Sequence, residues 1–200
     1  MTTAPGKLVP LRRVGGDIGE MSDEALLAAA GTGDSAALGA LFDRFSAAVY
    51  RFAGRLPTTD ELARDDLVQA TFLEVQRAAR SFLGTSSVQT WILGVAANVA
   101  RHTLRAERRR RAHQARYLER LPGEAAPVEA EVERRKLLAE VAAAVAALPH
   151  DQQVAFLLCD LEQLPGVEVA RVLAIPEGTL WRRLHTARKA IRAAIEGARR

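Results

Sequence analysis

The feature that most restricts how this chain can fold is a stripe of apolar side chains between positions 38 and 56. Its members recur at steps of three and four residues. The stripe consists of Leu38, Leu41, Phe42, Phe45, Val49, Phe52 and Leu56. Residues three and four apart share one face of an α-helix, whereas a half-buried strand needs strict alternation. Alanine, leucine and arginine are frequent, and no sustained alternating run of valine, isoleucine and threonine occurs. The sequence therefore predicts an all-α fold.

Capping residues, glycines and prolines divide the rest of the first half into further helices. We predict a flexible tail over residues 1–20, then a helix that Ser22 caps and that runs to about Ala30,. Asp34 or Ser35 caps the second helix, and Pro57 ends it. A third helix is predicted from about residue 60 to 81 and a fourth from about residue 90, with a loop between them. The third helix is expected to turn inward Leu62, Leu67, Ala70, Phe72 and Leu73.

The apolar period is lost between residues 112 and 133, where Pro122, Gly123 and Pro127 interrupt any long helix,. This stretch is predicted to be a flexible linker. A second apolar period begins near residue 134, with helices expected over about 134–148, 151–162, 166–173 and 177–196. The chain is therefore predicted to form two small helical domains, over residues 21–111 and 134–200.

The positive charges are concentrated in two blocks. The formal net charge is only +4. One block consists of Arg105, Arg108, Arg109, Arg110 and Arg111, and the other of Arg182, Arg183, Arg188, Lys189, Arg192, Arg199 and Arg200. An acidic stretch lies between them. Two basic surfaces of this kind suit an extended polyanion that is contacted in two places, although solvated helix faces give the same pattern.

The segment from residue 167 to 192 has the pattern of a helix-turn-helix. Ala170 provides the small residue at which two steeply crossing helices touch, and Ala174 occupies the tight turn between them. The shared core is expected to comprise Val169, Leu173, Ile175, Leu180 and Leu184. The second helix is rich in arginine, and such a helix places its N-terminal residues against base edges in the major groove. We predict that this segment binds DNA; an ordinary helical hairpin is the alternative.

Three further features restrict where the chain acts. Cys159 is the only cysteine, so no intramolecular disulfide can form, and its apolar neighbours favour a buried structural thiol,. The N-terminal residues lack the apolar core of a signal peptide, and no apolar run is long enough to span a bilayer,. We expect a cytoplasmic protein without membrane insertion.

Motifs in both halves resemble the bacterial RNA polymerase sigma factors, and most closely their extracytoplasmic-function (ECF) group. In the C-terminal half the matching residues are LP at 148–149, Glu168, Ala170, IPEGTL at 175–180, Arg183, Leu184, His185, Ala187 and Arg188. In the N-terminal half they are Asp23, Leu26, GD at 33–34, AL at 37–38, DDLVQATF at 65–72, TWI at 90–92 and AN at 97–98. The resemblance covers about residues 22–110 and 136–195.

The resemblance implies a protein that binds core RNA polymerase through its β and β′ subunits, directs it to promoter DNA and helps to separate the strands. One domain would grip the −10 element and the other the −35 element, while the linker threads into the polymerase. An anti-sigma factor would hold such a protein inactive until a signal arrives. No cofactor, metal or catalytic residue is implied.

The matching motifs also imply roles for individual residues. The core-polymerase-binding residues would be Asp65, Asp66, Gln69 and Phe72. The −10 element would be contacted by Asn98, Arg101, His102, Arg105, Arg108 and Arg109, and the loop over 82–89 would hold a base flipped from the non-template strand. The −35 element would be contacted by Thr179, Trp181, Arg182, Arg183, His185 and Arg188.

Several positions depart from the family pattern. Gln76 stands where tryptophan is usual, and Pro165-Gly166 replaces a polar-aromatic pair before Glu168. Trp181 and Thr186 stand where basic residues are frequent, which puts the usual −35 preference in doubt. Gln153 replaces a common arginine.

Two other classes of function are alternatives to this one. A stand-alone helix-turn-helix regulator with a helical effector domain explains the C-terminal half equally well, but it leaves the motif at 65–72 without a role. A metal-dependent hydrolase built on Asp65, Asp66 and Glu74 lacks histidines at ligand spacing, and no phosphate loop or nucleophile elbow occurs,. We therefore predict that the chain is not an enzyme.

Overall fold

A computed structural model describes residues 18–56, 61–114 and 139–198, and every regular element within these ranges is helical. A 3₁₀ turn at Ile18–Glu20 precedes the first α-helix. The helices are α1 (Asp23–Gly31), α2 (Ser35–Gly54), α3 (Glu61–Ala78), α4 (Val88–Gln114), α5 (139–146), α6 (His150–Phe156), α7 (Gly166–Val172) and α8 (Glu177–Ala198). The all-α prediction is confirmed. The predicted tail and linker lie almost wholly outside the described residues.

Side-chain caps define the first two helices as the sequence predicts. The Ser22 hydroxyl accepts a hydrogen bond from the Ala25 amide at 3.2 Å. The Asp34 carboxylate accepts from the amides of Ala36 and Ala37, at 2.9 and 3.1 Å. These bonds satisfy amide groups that have no partner within the first helical turn. Gly33, at φ +98°, makes the turn between the two helices, a conformation that favours glycine,.

The N-terminal core lies among α1, α2, α3 and α4. Leu26, Leu41, Phe52 and Ile92 have no exposed surface. Complete burial of a side chain of this size contributes about 1.5–3 kcal/mol. The predicted apolar stripe of α2 is therefore mostly core, although its edge residue Phe42 is 41% exposed.

Two predictions about α3 and α4 are wrong in detail. Leu73, expected to face inward, is 55% exposed, because it lines an open groove between α3 and α4. Helix α4 begins at Val88, two residues earlier than expected. Ser87 caps it by accepting a hydrogen bond from the Thr90 amide at 3.1 Å, so Thr90 lies in the first turn and is buried,.

The C-terminal helices pack around α8. Its inward residues Leu180 and Leu184 are fully buried, together with Val169 of α7 and Leu158 of the π-helical turn Leu157–Leu161 that continues α6. Gln153, which departs from the family pattern, is also buried. Its side-chain amide donates to the Val145 carbonyl at 3.0 Å and so joins α5 to α6.

The turn between α7 and α8 depends on Ala174, whose φ is +51°. A residue with a Cβ is disfavoured in this left-handed region, where glycine is not. We expect Ala174→Gly to raise the free energy of unfolding by about 0.5–1 kcal/mol, measured by urea denaturation. The matched control is Ala190→Gly, at an exposed position within α8, which should lower it by about 1 kcal/mol. A loss of stability in Ala174→Gly would contradict this explanation of the turn.

Candidate nucleic-acid interface

The acidic residues of α3 lie on an exposed face, as their spacing predicts. Asp65, Asp66 and Gln69 are exposed. Asp65 and Gln69 line an open groove of about 510 Å³ between α2 and α3, which Phe42 and Tyr50 also line. The groove therefore combines hydrogen-bond acceptors with apolar and aromatic surface, a combination that suits an amphipathic partner helix with basic residues.

Phe72, one of the residues predicted to bind core polymerase, is buried in this structure. Only 4% of Phe72 is exposed, and its ring packs against Phe42 with the centroids 4.9 Å apart. Phe42 is 41% exposed, whereas Phe72 is buried as its inward position on α3 predicts.

Arg64 links α2 to α3 beside the same groove, a role that no sequence pattern indicates. Its guanidinium lies 4.9 Å from the centre of the Tyr50 ring, a cation–π contact between α2 and α3,. It also packs against Gly54, where an added Cβ would come within 3.0 Å of the guanidinium carbon. Glycine at this position lets the arginine lie flat across the end of α2.

A second cavity, of about 330 Å³, opens beside the loop that precedes α4. Phe82 and Trp91 meet there edge to face, with ring centroids 5.7 Å apart. Trp91 is half-buried. Leu83, 82% exposed, projects from the loop next to Gly84, whose φ is +68°. The loop predicted to hold a flipped base therefore has both a cavity and an exposed apolar side chain.

The predicted −10 residues on α4 differ in accessibility. The Arg101 guanidinium donates to the Asn98 side-chain oxygen at 2.9 Å, and both residues are half-buried, whereas His102 is exposed. Arg105, Arg108 and Arg109 lie within the span of α4, but their side chains are outside the described residues.

The predicted −35 residues on α8 form two groups. Trp181, Arg182 and His185 are exposed, and Thr179 is half-buried. Arg183 and Arg188 are instead held by carboxylates of the preceding helices. Arg183 pairs with Asp151 at 2.7 Å. Arg188 makes a two-bond pair with Asp160, at 2.8 and 2.6 Å.

Two departures from the family pattern meet in one contact. The Trp181 indole lies directly over Gly166 at the start of α7, where an added Cβ would come within 2.6 Å of the ring. An aromatic side chain on α8 thus requires glycine on α7. Trp181 remains 48% exposed on the surface of α8.

The C-terminal helices also contact the N-terminal domain directly. The Glu168 carboxylate accepts from the Ser87 amide at 2.9 Å, and the Arg171 guanidinium donates to the Thr85 carbonyl at 2.9 Å. Glu162 pairs with Arg55. These contacts join α7 and the turn before it to the end of α2 and the start of α4. No local sequence pattern indicates these contacts.

Cys159 is half-buried, not fully enclosed. Burial raises the pKa of its thiol from 9.0 to about 11, and the negative charge of Asp160 adds to this while Arg188 opposes it. At pH 8 the folded chain therefore has about 100-fold less thiolate than the unfolded chain, partly offset by the greater nucleophilicity of a more basic thiolate. We expect iodoacetamide to alkylate the folded chain at least about tenfold more slowly than the urea-unfolded chain.

The same shift predicts a pH dependence of stability. A thiol whose pKa is raised on folding stabilises the folded state below pH 9, and this contribution is lost as the pH rises from 9 to about 11,. The difference in unfolding free energy between the wild type and Cys159→Ala should shrink over that range. A difference that stays constant would contradict the raised pKa.

Within the described ranges, no group of three or more histidine, cysteine, aspartate or glutamate residues could hold a metal ion. None of the helices there is both long and apolar enough to cross a membrane.

Comparison with known proteins gives matches in both halves. A family model of sigma-70 region 2 matches residues 41–110, and one of sigma-70 region 4 matches residues 138–191. The chain is 32% identical over 169 residues to the ECF RNA polymerase sigma factor SigM of Mycobacterium tuberculosis, covering 84% of this chain and 82% of the relative. It is 29% identical over 180 residues to the ECF RNA polymerase sigma-E factor of Escherichia coli K12, covering 86% and 93%.

Two solved structures have a similar fold. The structure of CnrH in complex with the cytosolic domain of CnrY matches with a TM-score of 0.62 at 23% identity, over 88% of this chain and 97% of that one. The sigma factor RpoE of Bartonella quintana, in complex with the anti-sigma factor NepR, matches with a TM-score of 0.59 at 19% identity, over 78% and 94%. At these identities the likeness concerns the fold.

Proposed function

The chain belongs to the ECF group of RNA polymerase sigma factors, and from that premise we propose how its surfaces carry out promoter recognition. The N-terminal domain binds core RNA polymerase, through the β and β′ subunits, and grips the −10 element. The C-terminal domain grips the −35 element. The observation that carries this proposal is the presence, in one chain, of the acidic and apolar groove on α2 and α3 together with the helix-turn-helix of α7 and α8.

The polymerase contact is assigned to the groove between α2 and α3. Asp65, Asp66 and Gln69 offer acceptors on adjacent turns, and the exposed ring of Phe42 supplies apolar surface beside them,. Phe72 supports that ring from below. This arrangement favours a helix that presents both basic and apolar residues.

The −10 contact is assigned to the loop over 82–87 and the exposed side of α4. The cavity beside Phe82 and Trp91 has room for one flipped base, and Leu83 is placed to occupy the gap left in the base stack,. Asn98, Arg101 and His102 follow along the same helix. The arginines farther along α4 would bind phosphates.

The −35 contact is assigned to the N-terminal half of α8. Thr179, Trp181, Arg182 and His185 lie where base edges would be read, while Arg183 and Arg188 are anchored to Asp151 and Asp160 and so are held at fixed positions,.

Arg182 and Arg183 should therefore differ when each is replaced by alanine. Arg182 is exposed, so Arg182→Ala should remove a base contact and cost about 1–3 kcal/mol for the preferred −35 sequence only,. Arg183 is tied to Asp151, so Arg183→Ala should weaken all −35 variants about equally. Fluorescence anisotropy with a panel of labelled −35 duplexes, measured with the chain bound to core polymerase, reports both changes. The opposite pattern would show that Arg183 reads bases.

The remaining parts of the proposal concern organisation and partners. We divide the chain into a tail (1–20), a region 2 domain (21–111), a linker (112–133) and a region 4 domain (134–200), in accord with the ranges of the two family models. An anti-sigma factor is the proposed inhibitor, as for the sigma factor of similar fold that was solved with one. The chain would act in the cytoplasm, without catalytic residues or cofactors of its own.

The test uses the full chain with core RNA polymerase of Escherichia coli, the source of a related sigma factor. Pull-down should recover a stable complex, and run-off transcription from a promoter library with randomised −35 and −10 positions should yield a defined sequence preference. A stand-alone regulator would bind duplex DNA by itself and would be absent from the polymerase fraction, and that result would overturn the proposal.

A further inference from the structure

The indole of Trp181 is held in place by its contact with the backbone at Gly166. A Cβ added to Gly166 would lie 2.6 Å from the Cη2 atom of the ring, 2.8 Å from Cζ2 and 3.4 Å from Cζ3. All three atoms belong to the six-membered ring, which therefore packs directly against the start of α7. Close packing of this kind restricts a side chain to one orientation.

The rest of the indole lies on an open face of α8. Trp181 is exposed, and so are Gly178, Arg182 and His185, which lie three or four positions from it or from one another and share that face,. A Cβ added to Gly178 would meet nothing within 4 Å. The space beside the first turn of α8 is therefore open, and the fixed indole borders it.

Part of the positive charge on α8 is already neutralised within the domain. Arg183 pairs with Asp151 at 2.7 Å, and Arg188 pairs with Asp160 at 2.6 Å. A carboxylate partner reduces the attraction that each guanidinium offers to a phosphate. Trp181 contributes apolar surface to the same helix, so what it contacts must be recognised by apolar burial.

The edge of a base pair offers few partners to such a side chain. Thymine alone presents an apolar group in the major groove, the 5-methyl, which lies next to its O4 acceptor. An indole has apolar edges and one N–H donor, and it has no acceptor. Against the amino group of adenine or cytosine it would cover a donor that then has no partner, which is unfavourable. Thymine is therefore the base that the indole of Trp181 fits.

We propose that Trp181 is a specificity-determining residue that selects thymine at one position of the −35 element through contact with its 5-methyl group. Gly166 is the positioning residue that seats the ring for this contact. The inference rests on the proposed function, since it requires that α8 enters the major groove of the −35 element.

The test uses the full chain bound to core RNA polymerase. Selection from duplexes randomised over the −35 element gives the preferred sequence, and each thymine in it is then replaced singly by deoxyuridine, which lacks only the 5-methyl group. At one position we expect this replacement to weaken binding about three- to tenfold, since burial of one methyl group is lost. Fluorescence anisotropy at a fixed salt concentration measures the ratio of the two affinities.

Variants at the two positions identify the residue that reads the methyl group. Trp181→Ala and Trp181→Arg should each bind the thymine and deoxyuridine duplexes equally at that position. Trp181→Arg should also make the dependence of log affinity on log salt steeper by about one unit, because it adds a phosphate contact. Gly166→Ala adds a Cβ where the ring lies, so it should displace the indole and reduce the ratio to below about twofold.

Two controls separate this effect from a general change of the domain. Val167→Ala alters the next residue of α7, which is 38% exposed, and should keep the ratio of the wild type. In a Trp181→Ala background, Gly166→Ala should leave the ratio unchanged, because the ring that it displaces is already missing.

Three outcomes would overturn the thymine contact. They are a preferred sequence without any A·T pair, equal binding of every thymine and deoxyuridine duplex by the wild type, and discrimination that survives in both Trp181→Ala and Trp181→Arg. In each case a −35 sequence would still have been selected, so the proposed function would stand. If the wild type selected no −35 sequence with core polymerase, the proposed function would fail and this inference with it.

Discussion

Asp65→Arg is expected to reduce the affinity for core RNA polymerase by about 100-fold. Asp65 lines the groove between α2 and α3, where its carboxylate would meet a basic group of the partner helix. Loss of one member of such a desolvated charge pair costs about 2–5 kcal/mol, and reversal of the charge adds repulsion. Because Asp65 is exposed, the melting temperature should change little.

The measurement is a titration of labelled sigma chain with core polymerase, followed by fluorescence anisotropy. Glu24→Arg makes the same charge change on α1, outside the groove, and should retain the affinity of the wild type. If Asp65→Arg bound as tightly as that control, the groove would not be the polymerase-binding surface, even if the chain were still a sigma factor.

Leu184→Ala is expected to lower the free energy of unfolding of the C-terminal domain by about 2–5 kcal/mol. Leu184 is completely buried on α8, where α6 and α7 pack against the helix. Removal of its side chain leaves a cavity that the short helices around it can fill only in part. Binding to −35 duplexes should weaken accordingly, because α8 is positioned by that core.

Urea denaturation followed by circular dichroism measures this loss. The matched control is Leu161→Ala, since Leu161 is 43% exposed at the end of the π-helical turn, and its cost should stay below about 1 kcal/mol,. Equal losses in the two variants would mean that Leu184 is not a central residue of the core.

The local features of the fold could be predicted because they depend on residues close together in the sequence. The caps formed by Ser22 and Asp34 and the turn at Ala174 each involve atoms a few residues apart. The exposure of Phe42, which belongs to the apolar stripe of α2, could not be predicted in this way. Helical spacing places a residue at the edge of a stripe, but the neighbouring helix decides whether that edge is covered.

The residue types of the candidate site could be predicted from the sequence. Most of the contacts that these residues make could not. The spacing on α8 placed Trp181 and Arg182 on its outer face, and both are exposed. It did not reveal that Asp151 and Asp160 hold Arg183 and Arg188, since these pairs join residues 32 and 28 positions apart. The hydrogen bonds from the Ser87 amide to Glu168 and from Arg171 to the Thr85 carbonyl join residues 81 and 86 positions apart, and no local pattern reveals them.

The fit of Trp181 over Gly166 has a consequence for attempts to re-engineer promoter choice. If the recognition helix of this chain were transplanted into a relative whose α7 begins with a larger residue, the indole would clash with that residue and displace the helix. The reverse transplant would leave an unfilled space over Gly166. The recognition helix of this chain is therefore exchangeable only together with the residue at the start of α7.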